Sequence, residues 1–176
     1  MTTKAGSRIL RSACALGVFG TGLLLGVTAC GGDDQPAAPT TFDLRFASVD
    51  VAVATESIEV LVFDPLARET RICEQLLVKR RSRQDLGRPI ARLPPTPLCD
   101  VLGENLQPIE IGYGTWAFLA IAQRGGTDYL LGCALANVGP GTEKPVITFS
   151  FANSTTAQPP ATACLDVSQK CKKACE

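Results

Sequence analysis

The stretch TWAFLAIAQ (Thr115–Gln123), followed after Arg124 by Gly125-Gly126 and then by DYLLGCALANV (Asp128–Val138), decides the fold of this chain. Apolar residues occupy both alternating faces of the first stretch, as in a strand covered on its two sides. The glycine pair marks a turn, and the second stretch returns as the hairpin partner.

Working outward, SIEVLVFD (Ser57–Asp64) sets Ile58, Val60 and Val62 on one face and Glu59, Leu61 and Phe63 on the other, which predicts an internal strand. TFDLRFASV (Thr41–Val49) sets Phe42, Leu44 and Phe46 opposite Asp43 and Arg45, a half-buried strand. KPVITFSFAN (Lys144–Asn153) is the last strand, with Pro145 tolerated at its start. Between the second strand and the central hairpin lies an insertion, residues 64–105. There Asp64 and Pro65 suit the first positions of a helix, Leu66, Cys73, Leu76 and Leu77 fall near one face, and Lys79, Arg80, Arg81 and Arg83 close it where cations complement the dipole. After Gly87 the proline-rich RPIARLPPTPLC (Arg88–Cys99) reads as a loop.

Short strands, turns at close intervals and no alternation of strand and helix predict a mainly β protein, an antiparallel β-sandwich over residues 41–176. The segment IGYGTWAFLAIA (Ile111–Ala122) resembles the glycine-then-aromatic strand entry of immunoglobulin-, fibronectin- and prealbumin-like sandwich modules in bacterial surface proteins. That resemblance implies the fold class and brings no catalytic residues.

The N-terminus reads as an export signal. Lys4, Arg8 and Arg11 form a basic region, and no charge follows from Ser12 to Gly32. An uncharged run of this length, about 18 to 20 residues or more, also suffices to span a bilayer, so an uncleaved anchor is the competing reading. Gly17, Gly20, Gly22 and Gly26 weaken it as a helix. The end of the run, Val27-Thr28-Ala29-Cys30, resembles the lipobox of bacterial lipoproteins, with Val where many members have Leu. The resemblance implies a signal peptide over residues 1–29, diacylglyceryl attachment at the Cys30 thiol and a mature N-terminus there. Residues 30–40 then form a lipidated spacer of Gly, Pro and polar composition. Gly31 lacks the aspartate associated with inner-membrane retention in such sorting, which implies an outer-membrane address in a cell that has one.

Of 8 cysteines, Cys14 belongs to the signal and Cys30 to the anchor. Cys73, Cys99, Cys133, Cys164, Cys171 and Cys175 remain, an even set that predicts disulfides in an exported chain. The tail, residues 160–176, carries Cys171 and Cys175 at helical spacing with Asp166 or Ser168 as cap. Helical neighbours at that spacing have Cβ atoms roughly 5–6 Å apart, beyond the roughly 3.5–4.5 Å a disulfide needs, so each is expected to reach a partner elsewhere. The expected pairing is Cys73 with Cys99 across the insertion, and the tail cysteines with Cys133 and Cys164 between them. A zinc site built from tail thiolates is the alternative.

With 17 basic and 17 acidic residues the chain has no net charge. Removal of residues 1–29 takes three cations with it and leaves the body slightly acidic, which argues against nucleic acid as a partner. The chain contains no histidine, hence neither the usual general base nor the commonest imidazole ligand. No G-x-S-x-G is present, and Gly31-Gly32, Gly125-Gly126 and Gly139–Gly141 lack phosphate-loop spacing. No cofactor is expected. Paired carboxylates drawn from Asp85, Asp100, Glu104 and Glu110 are the remaining route to catalysis, against the plain reading of scattered surface acids. Two features suit binding. Lys79, Arg80, Arg81 and Arg83, with Arg88 and Arg92, could hold anionic glycans or headgroups or could simply be a solvated helix end. Tyr113 and Trp116 flank a glycine turn and could stack on a sugar or belong to the core. Asn153-Ser154-Thr155 matches a glycosylation sequon that a bacterial lipoprotein would not normally use. The expectation is a non-enzymatic, membrane-tethered envelope protein with a binding or structural role, its partners being the membrane through the N-terminal lipid and an envelope protein or polysaccharide.

Overall fold

The computed structural model describes residues 37–65, 71–103, 106 and 108–175. In chain order, strands β1 (Ala37–Thr40) and β2 (Asp43–Arg45) precede helix α1 (Val49–Ala54) and strand β3 (Ser57–Phe63). Helix α2 (Ile72–Arg81), strand β4 (Ala91–Pro97) and helix α3 (Leu98–Leu102) follow. Strand β5 (Ile109–Gly112), the hairpin of β6 (Gly114–Arg124) and β7 (Thr127–Val138), strand β8 (Val146–Phe151) and helix α4 (Val167–Cys171) complete the chain. The protein is mainly β. Six strands form a mixed sheet in the order β2-β8-β7-β6-β3-β4, and β1 and β5 form an antiparallel two-stranded ribbon.

The predicted hairpin is the middle of that sheet. Pairing of β6 with β7 runs from Gly114↔Val138 to Arg124↔Thr127, and Gly125 and Gly126 turn the chain at φ 58° and 69°, the left-handed values a tight hairpin turn requires and glycine adopts without steric cost. Ala117 to Ala122 are all fully buried because both faces of β6 are covered. Phe118, Ala120 and Ala122 join Ile58, Val60 and Val62 under the β1–β5 ribbon, α1 and α3, where Ile109, Ile111, Val51 and Leu98 close the layer. Leu119 and Ile121 join Leu61 and Phe63 beneath Ile72 and Leu76 of α2. Each fully buried Leu, Ile or Phe side chain contributes roughly 1.5–3 kcal/mol, and the two layers on either side of β6 account for the continuous apolar run in its sequence.

Several expectations are corrected, among them the spacer expected over residues 30–40, whose last four residues are strand β1, paired with β5 from Ala37↔Gly112 to Thr40↔Ile109. The proline-rich stretch read as a loop is the edge strand β4, paired with β3 from Ser57↔Pro97 to Val62↔Ala91, with Pro94 and Pro95 bulged opposite Glu59. An edge strand needs no outward N–H, so it accommodates proline that a central strand could not. The strand expected over residues 41–49 shrinks to β2, which pairs with β8 in parallel rather than antiparallel fashion. Its face assignment stands, with Phe42 buried and Asp43 and Arg45 exposed. It stops where Ser48 caps α1, its Oγ accepting from Val51 N at 3.3 Å. Finally, the N-cap of α2 is Arg71, not Asp64; residues 66–70 lie outside the described set.

The cysteines pair as Cys73–Cys133, Cys99–Cys171 and Cys164–Cys175, with Cα atoms 5.4, 5.3 and 5.2 Å apart. The expected Cys73–Cys99 bridge is therefore overturned, and with it the expected pairing of Cys133 with a tail cysteine, whereas Cys164 does pair with one, Cys175. Because strand β4 (Ala91–Pro97) leads straight into α3, it carries Cys99 of α3 to the tail helix, while Cys73 on α2 lies over β7 and meets Cys133 there. Cys171 and Cys175 do not pair with each other, although α4 ends at Cys171 and Cys175 lies beyond the helix in which both were expected. Asp166 caps α4, its Oδ1 accepting from Gln169 N at 3.0 Å, and Lys170 Nζ donates to Val53 O and Thr55 O at 2.5 and 2.7 Å, closing the carboxyl end of α1. Cys30 and the export signal lie outside the described residues, and among the described residues no helix is long and apolar enough to cross a membrane.

Candidate functional site

The carboxyl end of α2 is held down by its own arginines. Arg80 donates from Nε and a terminal nitrogen to the two carboxylate oxygens of Asp128, at 2.6 and 2.9 Å, a bidentate fork that fixes the guanidinium plane. The hydrogen bond to Asp128 raises the Arg80 pKa above its ordinary value against the opposing effect of burial. Arg81 donates from Nε to Ala152 O at 3.1 Å and from a terminal nitrogen to Ser150 Oγ at 3.5 Å, which ties α2 to the end of β8. The chain then turns sharply. Arg83 adopts the left-handed conformation at φ 55°, and Ser82, Arg83 and Gln84 donate backbone N–H groups to Val78, Arg80 and Lys79 carbonyls at 3.0, 3.1 and 2.8 Å. This closure satisfies carbonyls that a helix end otherwise leaves exposed.

Between this helix end and the β6–β7 turn lies a half-open groove of about 440 Å³, lined by Arg80, Arg81, Arg83, Gln84, Thr127 and Asn153 together with Asp128, Leu131, Gly126 and Ala152. Asp128 is the one acidic residue among its lining and is engaged by Arg80. Three guanidinium groups thus face one carboxylate, and the groove carries excess positive charge.

The basic residues singled out in the sequence separate in space. Arg80, Arg81 and Arg83 share the groove, whereas Lys79 lines a different and more open hollow with Arg71 and Glu74. Arg88 is exposed beyond Gly87, and Arg92 on β4 pairs with Glu59 at 3.1 Å. Tyr113 and Trp116 are half-buried and stand apart from the groove. Trp116 packs against the core layer under the ribbon and donates its indole N–H to Gly112 O at 2.7 Å. Of the acids, Asp85 accepts from Gly87 N in the turn after α2, Asp100 is on α3, Glu110 is on β5, and Glu104 lies outside the described residues. The zinc alternative requires thiolates, and the six cysteines are in disulfides; among the described residues no group of three His, Cys, Asp or Glu side chains could hold a metal ion.

Asp128, Ser150 and Ala152 were not legible as partners of the basic cluster, nor was Asn153 as part of the groove. Asp128 follows the glycine turn 48 residues after Arg80, and only the strand order brings that turn to the end of α2. Fold and groove together define a mainly β, disulfide-linked body with an arginine-lined groove. No family model, curated protein or solved structure matches the chain.

Proposed function

We propose that this chain is an exported, lipid-anchored protein of the bacterial cell envelope whose body has a non-enzymatic binding or structural role. The observation that carries the reading is the cysteine arrangement. Three bridges join α2 to β7, α3 to α4 and the two ends of the tail, and such bridges form and persist in oxidising compartments outside the cytoplasm. The lipobox resemblance at Val27–Cys30 supplies the anchor, and Gly31 favours an outer-membrane address. Kinship with fibronectin- or prealbumin-like sandwiches belongs to the same reading, supported by the β1–β5 ribbon laid over one face of the six-stranded sheet.

The test is the intact mass of membrane-extracted protein with and without reduction. The expected result is loss of residues 1–29, added acyl mass that the Cys30→Ala variant lacks, and six thiols that alkylate only after reduction. An unprocessed N-terminus with thiols free before reduction overturns the proposal. A second reading, favoured by the arginine-lined groove, is that the basic insertion engages an anionic envelope polysaccharide or protein.

A further inference from the structure

We infer that the groove at the end of α2 is a binding site for an acidic sugar of the uronate kind, with Arg81 and Arg83 on the carboxylate and Gln84, Thr127 and Asn153 on the hydroxyls. The inference rests on the second reading above, that the basic insertion is a binding face, and gives that face its ligand class.

Charge selects the ligand's sign. Arg80 and Asp128 neutralise each other as a fixed wall, and no carboxylate among the described residues pairs with Arg81 or Arg83. A helix carboxyl end is ordinarily the wrong pole for an anion. Here the last carbonyls are covered by the Ser82, Arg83 and Gln84 N–H groups, and two full cationic charges outweigh the residual partial charge of about half an electron. Shape and composition select the rest. The groove, at about 440 Å³, falls in the roughly 300–1,000 Å³ range of small-ligand sites. Its neutral polar walls are amide and hydroxyl groups, which both donate and accept as sugar hydroxyls do. Leu131 is its one large apolar side chain, too little to hold an acyl chain. Arg81 is already ordered by Ala152 O and Ser150 Oγ, which lowers the entropy lost on binding. The planar guanidinium fork matches a carboxylate better than a point charge does.

Arg83 offers a discriminating substitution. It holds a left-handed backbone at φ 55°, which glycine adopts with less strain, so Arg83→Gly removes the cation while relaxing the fold. Retention of the detergent-extracted full chain is measured on polygalacturonate, on neutral dextran and on phosphatidylglycerol vesicles, at low and high salt. The expected result is salt-sensitive retention on polygalacturonate alone, weakened about tenfold by Arg83→Gly, as for the loss of one charge-assisted hydrogen-bonded contact, with a melting temperature equal to or above that of the parent. Lys79→Ser with Arg88→Ser, outside the groove, is expected to change retention less than twofold. Full retention by Arg83→Gly together with loss in the Lys79/Arg88 variant overturns the groove and leaves the insertion as a binding face. No retention of the parent chain on polygalacturonate at low salt overturns both. Equal, Arg83-dependent binding to the anionic vesicles overturns the sugar as ligand.

Discussion

Tyr129 sits at the bulge where β7 carries one residue more than β6, and its hydroxyl is buried with no hydrogen-bond partner among the described residues. Burial raises the phenol's pKa, with the Arg124 cation, 5.7 Å from the ring centroid, working against it. An orphaned buried hydroxyl costs about 1–3 kcal/mol, so Tyr129→Phe, which keeps the edge-on packing with Phe151, is expected to leave the melting temperature unchanged or to raise it. A lowered midpoint in thermal unfolding would mean that the hydroxyl has a partner. The Arg80–Asp128 fork is partly exposed, with side chains 29% and 27% accessible, and a double-mutant cycle with Arg80→Ala and Asp128→Ala is expected to give a coupling of about 1 kcal/mol, at the upper end for solvent-screened pairs because the contact is bidentate. Asp166 responds to acid in the opposite sense from a buried carboxyl. The Ser168 hydroxyl and the Gln169 N–H hold its pKa below the ordinary carboxylate value, so its contribution to the α4 cap is complete above the unfolded-state pKa and is lost as pH falls through the lower folded-state value. Chemical shifts of Gln169 N–H against pH are expected to move below the ordinary carboxylate range; movement at or above that range would overturn the cap.

Among the elements, those whose periodicity is complete within their own sequence were legible. The runs in β3, β6, β7 and β8 and the Asp166 cap of α4 need no distant residue to be recognised. Elements defined by their neighbours were not. VDVAVA (Val49–Ala54) alternates like a strand and becomes α1 because Ser48 caps it and the Thr55 hydroxyl donates to Val51 O at 3.1 Å. ARLPPTP (Ala91–Pro97) becomes a strand because an edge leaves its prolines with no hydrogen bond to lose. The groove was half legible: three of its arginines stand out as a cluster, but their partners depend on strand order. Gly132 shows how closely that order is packed. β7 and β8 pair over Leu130–Gly132 only, and a Cβ at Gly132 would lie 2.7 Å from Thr148 O and 2.8 Å from Ile147 Cγ2. Backbone cannot yield as a side chain can, so Gly132→Ala is expected to cost about 1–3 kcal/mol in a denaturant titration. An unaltered midpoint would show that β8 is free to shift.

For the molecule as a whole, the loops closed by Cys73–Cys133 and Cys99–Cys171 overlap, since Cys99 lies between Cys73 and Cys133 in the chain. Loss of the second bridge in a Cys99→Ser, Cys171→Ser variant is expected to lower unfolding stability by about 2–4 kcal/mol while leaving α2 on the sheet through Cys73, as limited proteolysis would register by cutting the tail before the insertion. Cleavage in the insertion first would mean that the tail bridge holds α2 as well. The overlap has a mechanical side. Tension entering ahead of Ala37 meets strands β1 and β2, α1 and β3 before it meets a covalent crosslink at Cys73. Beyond that point the two interlocked loops leave three parallel segments between Cys73 and Cys171, the shortest running from Cys73 to Cys99. Pulled from its amino end, an oxidised molecule can therefore lengthen over residues 37–72, on the order of 120 Å at full extension, and past Cys73 only as far as the segment from Cys73 to Cys99 reaches before the bridges take the load. The groove and the arginines that line it all lie beyond Cys73 in the chain, within the part that the bridges tie together.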